Sequence, residues 1–226
     1  VAIDIGSYDV ILEIFEISKK QGIRSVDKIC HRMELGKDTY TLGKIRPEME
    51  EELCRVLADF VRIMEGYRVD DYRATASSAI SEASNSLYVL GKIHQLTGLS
   101  VTVLSNSEQR FLSYKALAAM EDNFNKIIEK GTAILDLDGG SFQISLFDKD
   151  ALVTTQNIRM GSLRIRERLA GIQSETEHYE EMVEELIWNE VSSFKKMYLK
   201  DRKIENIMLI GDVFTDSVYQ NIEEKT

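Results

Sequence analysis

Proline, cysteine, tryptophan and long apolar runs are all scarce in this chain. A single proline, Pro47, in 226 residues leaves no Pro-rich linker, so any division into domains must be read from pattern. The two cysteines, Cys30 and Cys54, fall in different expected elements without CxxC spacing. That excludes a zinc knuckle and a disulfide framework, and it fits buried thiols in a reducing compartment. No apolar run approaches the roughly 20 residues of a membrane span, and no basic-then-apolar signal segment opens the chain, which begins at Val1 without an initiator methionine. A cytoplasmic protein without membrane contact is expected. His31, His94 and His178 show no HxxH or HExxH spacing, so a histidine-built metal centre is not expected. Basic residues are outnumbered, 28 Lys and Arg against 38 Asp and Glu, for a net charge of −10. A balance of that sign disfavours broad contact with a nucleic-acid duplex or an anionic membrane, so an anion site would have to be built locally.

What the chain does contain is a repeat. Ile134-Leu135-Asp136-Leu137-Asp138-Gly139-Gly140-Ser141-Phe142-Gln143-Ile144-Ser145-Leu146-Phe147 reads as strand, tight turn, strand. Ala2-Ile3-Asp4-Ile5-Gly6-Ser7-Tyr8-Asp9-Val10-Ile11-Leu12-Glu13-Ile14-Phe15 lies over it without a gap, pairing Asp4 with Asp136 at an offset of 132 residues (136 − 4). Repetition at a fixed offset is a fold-level signal, and this length favours two domains.

The elements around the two copies follow one order. Residues 1 to 7 and the alternating Val10 to Ile17 form an antiparallel hairpin, with a third strand over Ile29 to Leu35 turning at Gly36-Lys37-Asp38. Pro47 ahead of Glu48, Glu50, Glu51 and Glu52 starts a helix that buries Leu53, Leu57, Phe60 and Met64 and runs to Gly66. Then come a strand at Tyr72 to Ala76, a Ser77-Ser78 loop, a helix from Asn85 to Leu96 stopped by Gly98, and a strand at Val101 to Leu104. Ser105-Asn106-Ser107-Glu108 caps the next helix. After a polar connection, Glu121 to Lys130, the pattern restarts: the motif hairpin, a strand at Leu152 to Met160, a helix from Ser162, an acidic helix over Tyr179 to Leu199, a strand at Ile207 to Ile210, and an amphipathic helix after Gly211-Asp212. Trp188 on the acidic helix reads as core, and Glu175 to Glu185 as a solvated face. The expected fold class is α/β: two ribonuclease-H-like lobes, residues 1–121 and 122–226, around a cleft, with the second lobe expected to be incomplete at its C-terminus. This is the architecture of actin, sugar kinases and heat-shock chaperones.

A turn of Gly and Ser lets backbone N–H groups converge on an anion, and an Asp at the end of the preceding strand can hold a hydrated divalent cation against phosphates. Taken singly, Asp-Gly and Gly-Ser are good hairpin turns and nothing more. The gap-free repetition is what favours a phosphate clamp.

Several segments, in order, resemble the Ppx/GppA family of exopolyphosphatases and guanosine pentaphosphate phosphohydrolases. Ala2-Ile3-Asp4-Ile5-Gly6-Ser7 resembles the family's AIDIGSNS, and Ala74-Thr75 through Ser78-Ala79-Ile80-Ser81-Glu82-Ala83-Ser84-Asn85 its T-S-A-(I/L)-R-(D/E)-A-x-N segment. Leu104 to Arg110 is similar to I-S-G-x-E-E-A, Asp136 to Gln143 to D-I-G-G-G-S-T-E, and Met160-Gly161-Ser162-Leu163-Arg164 to L-G-x-x-R. The resemblance implies polyphosphate or a guanosine polyphosphate as ligand and Mg²⁺ as cofactor. It implies Gly6, Ser7, Gly139, Gly140, Ser141 and Arg164 on phosphate, Asp4 and Asp136 on the metal with Asp138 beside them, and Glu108 and Gln109 at the catalytic positions. A homodimer is compatible with it.

The departures from the family pattern fall on the chemistry. S-N-S reads Ser7-Tyr8-Asp9, the anion-facing arginine is Ser81, R-L-G is Glu34-Leu35-Gly36, the first glycine of GGG is Asp138, and T-E is Phe142-Gln143. Of the glutamate pair only Glu108 remains, with Gln109 where the water-activating member aligns. Phosphoanhydride hydrolysis needs positive charge and a base. An amide orients water but takes no proton. Two readings result: a hydrolase with weakened turnover, or an inactive relative that binds a nucleotide, a phosphate metabolite or a partner protein.

Overall fold

The structure, a computed structural model, describes residues 1–20, 22–121, 123–173, 178–200 and 202–211. The amphipathic helix expected after Gly211-Asp212 lies outside the described residues. Contacts divide the chain into two units, Val1–Gln109 and Arg110–Thr226.

The first unit runs β1 (Ala2–Ile5), β2 (Asp9–Ser18), β3 (Gly22–Arg32), α1 (Leu35–Leu42), α2 (Pro47–Tyr67), β4 (Arg73–Ala76), α3 (Ser78–Ser81), α4 (Ser86–Thr97) and β5 (Val101–Val103), then enters α5 (Asn106–Met120). Its sheet has the order β3-β2-β1-β4-β5, with β1–β2 and β2–β3 antiparallel and β1–β4 and β4–β5 parallel. Strand periodicity of two sends Ile3, Ile5, Val10, Leu12 and Ile14 to one face, where they meet Leu53, Leu57 and Phe60 of α2 and Val89 and Ile93 of α4. The same alternation leaves Asp4 exposed on the other face. Pro47 opens α2 with Glu48 and Glu50 in its first turn, and Gly98 closes α4 in the left-handed region at φ 72°.

Four expectations are corrected. The third strand ends at Arg32, and Gly36-Lys37-Asp38 lie inside α1. Glu34, at φ 52°, turns the chain out of the sheet, and Asp38, 2% exposed, accepts the Arg46 backbone N–H at 3.0 Å and its Nε–H at 2.9 Å. An ion pair between this buried acid and the half-exposed Arg46, rather than an apolar stripe, anchors the helix, so periodicity does not announce it. Ser78 opens the short helix α3 instead of staying in a loop. Cys54 is buried as expected but Cys30 is exposed, because β3 is an edge strand with little covering it. Trp188 is 64% exposed, since its helix buries only Phe194 fully among its described residues. We expect Asp38→Asn, which keeps the shape but loses the charge, to cost about 1.5–3 kcal/mol, read as a lower urea midpoint at unchanged slope.

The second unit contains the rest of α5, then α6 (Phe124–Ile128), β6 (Thr132–Leu137), β7 (Phe142–Asp148), β8 (Ala151–Ile158), α7 (Ser162–Gln173), α8 (Tyr179–Tyr198) and β9 (Asn206–Ile210). Its sheet order, β8-β7-β6-β9, reproduces β3-β2-β1-β4 of the first unit. One face carries Ile134 and Phe147 with Phe124 and Ile128 of α6, and the other Ile144, Leu146 and Ile158 with Phe194 of α8. The 132-residue offset holds in the strand register. Ile5 pairs with Val10 as Leu137 pairs with Phe142, and the register shifts at Ile14/Phe15 just as it does at Leu146/Phe147. The chain is therefore two α/β units of ribonuclease-H-like topology. Among the described residues no helix is long and apolar enough to cross a membrane.

Candidate functional site: two repeated hairpin turns

Each unit carries a four-residue turn at the end of its first strand, closed by the same bond. Gly6 N–H donates to the Asp9 carbonyl at 2.9 Å, and Asp138 N–H to the Ser141 carbonyl at 3.0 Å. At Gly6 an added Cβ would sit 3.0 Å from the Asp9 oxygen and 3.8 Å from an Asp4 carboxylate oxygen, so the turn and the strand-end acid lie together.

In the first turn the backbone is held from one side. The Ser7 carbonyl accepts from Gly36 N–H at 2.9 Å and the Tyr8 carbonyl from Met33 and Glu34 at 2.9 and 2.8 Å. Ser7 is fully buried, and its hydroxyl lies 2.7 Å from that of Tyr40, which in turn lies 2.8 Å from that of Ser78. Tyr8, where the family has asparagine, is half-buried and carries the Arg32 guanidinium 4.7 Å from its ring centroid. Arg32 also comes within 3.6 Å of Glu34, so a cation stands close to the position where the family's arginine is missing.

In the second turn three successive carbonyls are taken from behind. Ser162 N–H donates to Asp138 O at 3.1 Å, Arg164 N–H to Gly139 O at 3.1 Å, and Arg164 Nε–H to Gly140 O at 2.9 Å. Because each peptide unit is planar and trans, carbonyls drawn toward α7 aim the following N–H groups the other way. Gly161 makes this docking possible: a Cβ there would lie 2.4 Å from Asp138 O and from Gly139 C and O. Arg164 is thus fastened to the turn it was expected to assist. The Asp138 carboxylate accepts the Gly139 N–H at 2.5 Å, which uses one of the donors an anion would want. Ser141 Oγ receives Asn157 Nδ2 at 3.4 Å, and the Asp136 carboxylate receives Ser113 Oγ–H at 3.4 Å. Gln143, 7% exposed, lies across from Asp136 on one side and Asn157 on the other.

Glu108 and Gln109 occupy the first turn of α5. Glu108 forms a reciprocal capping box with Ser105: its carboxylate accepts the Ser105 N–H at 2.9 Å and O–H at 2.7 Å, while its own N–H reaches Ser105 Oγ at 3.3 Å. The bond from the Ser105 backbone, then that from its hydroxyl, holds the Glu108 carboxyl below its ordinary range, and a carboxylate so stabilised is a weaker base. Gln109 beside it is half-buried. Among the described residues no three His, Cys, Asp or Glu side chains converge on a common point. Mg²⁺ needs no such cage, since it typically takes one or two carboxylates and completes its shell with water and substrate phosphate. Asp4 in the first unit and Asp136 in the second each offer one such carboxylate at a strand end.

Behind the second turn, Tyr114 donates to Ser145 Oγ at 2.5 Å, and Ser145, Thr155 and Arg110 continue the network. Burial pushes the Tyr114 phenol up, more than the Ser145 and Thr155 bonds pull it down. A phenol raised on folding contributes stability that is present below its unfolded pKa of about 10 and is lost as pH rises through the folded value. Tyr114→Phe should therefore flatten the fall of Tm above about pH 10, as measured by calorimetry.

Sequence reasoning placed the turns but missed the roles of Tyr40 and Ser78. Their only signal was a serine pair followed by an apolar dipeptide.

The family pattern described as the Ppx/GppA phosphatase family matches residues 13–226. A bifunctional 3-dehydroquinate synthase/phosphatase of Fusobacterium nucleatum is 22% identical over 99% of this chain and 34% of its own length. Exopolyphosphatase 1 of Mycobacterium leprae is 25% identical over 63% of this chain and 41% of its own. A solved Ppx/GppA protein of Aquifex aeolicus superposes with a TM-score of 0.69 at 23% identity, covering 95% of this chain and 66% of that one, which supports the fold. The chain thus spans only about a third to two fifths of these two curated relatives. With the match running from Glu13 in β2 to the last residue, the chain belongs to the Ppx/GppA phosphatase family.

Proposed function

We propose that this protein is a cytoplasmic, Ppx/GppA-type phosphohydrolase-like protein that binds polyphosphate or a guanosine polyphosphate at its two Asp-bearing turns, with hydrolysis weakened. The observation that carries this reading is the duplicated turn, closed by the same hydrogen bond 132 residues apart with an acid two residues before each closing donor. Backbone N–H groups of Gly140 and Ser141 and the first turn would meet phosphate oxygens. Asp4 at the first turn, and Asp136 with Asp138 at the second, would each offer carboxylate oxygens to Mg²⁺, which when bound neutralises phosphate charge. Arg164 keeps the second turn in shape. The names of the mycobacterial relatives favour inorganic polyphosphate over a nucleotide. Incubation of the protein with polyphosphate or pppGpp and Mg²⁺, with released phosphate measured, tests it; turnover no faster than that of an Asp136→Ala variant would overturn the hydrolase reading.

A second reading, an inactive relative that binds without hydrolysing, is favoured by one pair of contacts. Glu108 is engaged by Ser105, and Asp138 occupies the Gly139 N–H. Calorimetry showing tight, Mg²⁺-dependent uptake of tripolyphosphate without phosphate release would select it.

A further inference from the structure

The first turn has a hydroxyl in the place the family pattern leads one to expect, but that hydroxyl faces inward. Ser7 is 0% exposed, and its Oγ is bonded to Tyr40 at 2.7 Å. A buried hydroxyl cannot reach an anion arriving at the turn unless the core opens. Tyr40 carries the contact onward to Ser78 Oγ, at 2.8 Å. Ser78 lies two residues past the end of β4, the parallel neighbour of β1, and the intervening Ser77 ties that end to the end of β1 by its N–H donating to Ile5 O at 3.2 Å. Ser78 is half-buried, and among the described residues its hydroxyl meets Tyr40 alone. A serine hydroxyl donates one hydrogen bond and accepts two, so bonding capacity remains on the side of Ser78 that reaches solvent.

We infer that Ser78, not Ser7, presents the anion-contacting hydroxyl of the first turn, and that Tyr40 is the positioning residue that holds Ser7 and Ser78 in one line. The surroundings of Tyr40 fit this role. Its helix is fastened to the turn by Gly36 N–H on Ser7 O at 2.9 Å, and to α3 by Thr39 Oγ1–H on Ala79 O at 2.6 Å. The tyrosine therefore bridges two segments that its own helix already grips, and its hydroxyl sets their spacing. The ligand class is a phosphate oxyanion. The inference rests on the phosphate reading above, and it adds a side-chain contact to the backbone N–H groups that reading uses at the first turn.

The test is calorimetric titration of the full chain with inorganic tripolyphosphate and Mg²⁺. Loss of one hydrogen bond to a charged oxygen should weaken binding by about tenfold or more, so Ser78→Ala should show that loss while Ser78→Thr, which keeps the hydroxyl, stays at the wild-type affinity. Tyr40→Phe should weaken binding comparably. The double variant Tyr40→Phe/Ser78→Ala should bind no more weakly than Ser78→Ala, since both act through one hydroxyl. A purely structural role would lower Tm and leave the Kd of the folded protein unchanged, so both are measured. Wild-type affinity in Ser78→Ala, or its loss in Ser7→Ala alone, would overturn the assignment. If Tyr40→Phe fails to fold, the Ser78 pair of variants decides by itself. A wild-type chain that takes up no tripolyphosphate would show as much before any variant is made, and there the phosphate reading itself fails.

Discussion

Changing Gln109 to glutamate is expected to raise phosphate release from polyphosphate by about 10²–10⁴-fold, the usual worth of a well-placed general base. The neighbouring Glu108 cannot supply that base at full strength, because Ser105 holds its carboxylate by both N–H and O–H. Those bonds make it more acidic and commit it to starting α5. Gln109 sits one residue on, half-buried, with its N–H already satisfied by the Ser105 carbonyl at 3.0 Å, so exchanging amide for carboxylate leaves the helix start intact. Gln109→Ala is the control and should show no gain. The pH profile of the gain should follow one new carboxylate. If Gln109→Glu binds tripolyphosphate with wild-type affinity yet releases no more phosphate, the inactive reading is the better one and the missing chemistry lies at Asp138 or Ser81.

The second large effect is structural. Gly161→Ala would place a methyl group 2.4 Å from three backbone atoms of the second turn, none of which can rotate away. The turn or the start of α7 must move, at a cost at or above the upper end of the about 1–3 kcal/mol that overpacking usually costs. For a chain of this size each kcal/mol lowers Tm by about 2–4 °C, so a drop of about 6 °C or more is expected. Gly91→Ala makes the contrast. That glycine lies on the exposed face of α4 with nothing within 4 Å of the added atom, and the change should stabilise by about 1 kcal/mol through helix propensity alone. An unchanged Tm in Gly161→Ala would mean that the docking of α7 on the turn is looser than these distances describe. Wild-type phosphate uptake in the folded variant would separate the turn's shape from its function.

What the sequence disclosed follows from how local each cause is. The two hairpins were legible because alternating apolar residues and a turn rich in glycine and serine are short-range signals, and because they occur twice. The α2 helix was legible from Pro47 and its acidic first turn, and the end of α4 from Gly98. Helix α1 was not, since it is held by Asp38 against Arg46, a pair that no apolar periodicity reveals. The exposure of Trp188 and Cys30 depends on what covers α8 and β3, which is a tertiary matter. For the candidate site, motif spacing located both turns and Gly161-Ser162-Leu163-Arg164. The direction each side chain faces was hidden. Ser7 turned inward to Tyr40, Arg164 fastened onto a carbonyl and Glu108 folded back on Ser105 are all set by hydrogen bonds between residues that a linear motif treats as independent.

The paired bulges at Ile14/Phe15 and Leu146/Phe147 carry one more consequence. Each divides its strand into a segment leading back to the turn and an outer arm. The outer arms differ: β2 runs on to Ser18 and β3 returns from Gly22, whereas β7 stops at Asp148 and β8 resumes at Ala151. The inner segments match residue for residue. A bulge absorbs a change of count locally, so the arm beyond it is free to lengthen or shorten without the error reaching the turn. The two halves of this protein have been able to grow different outer edges while keeping one inner gauge.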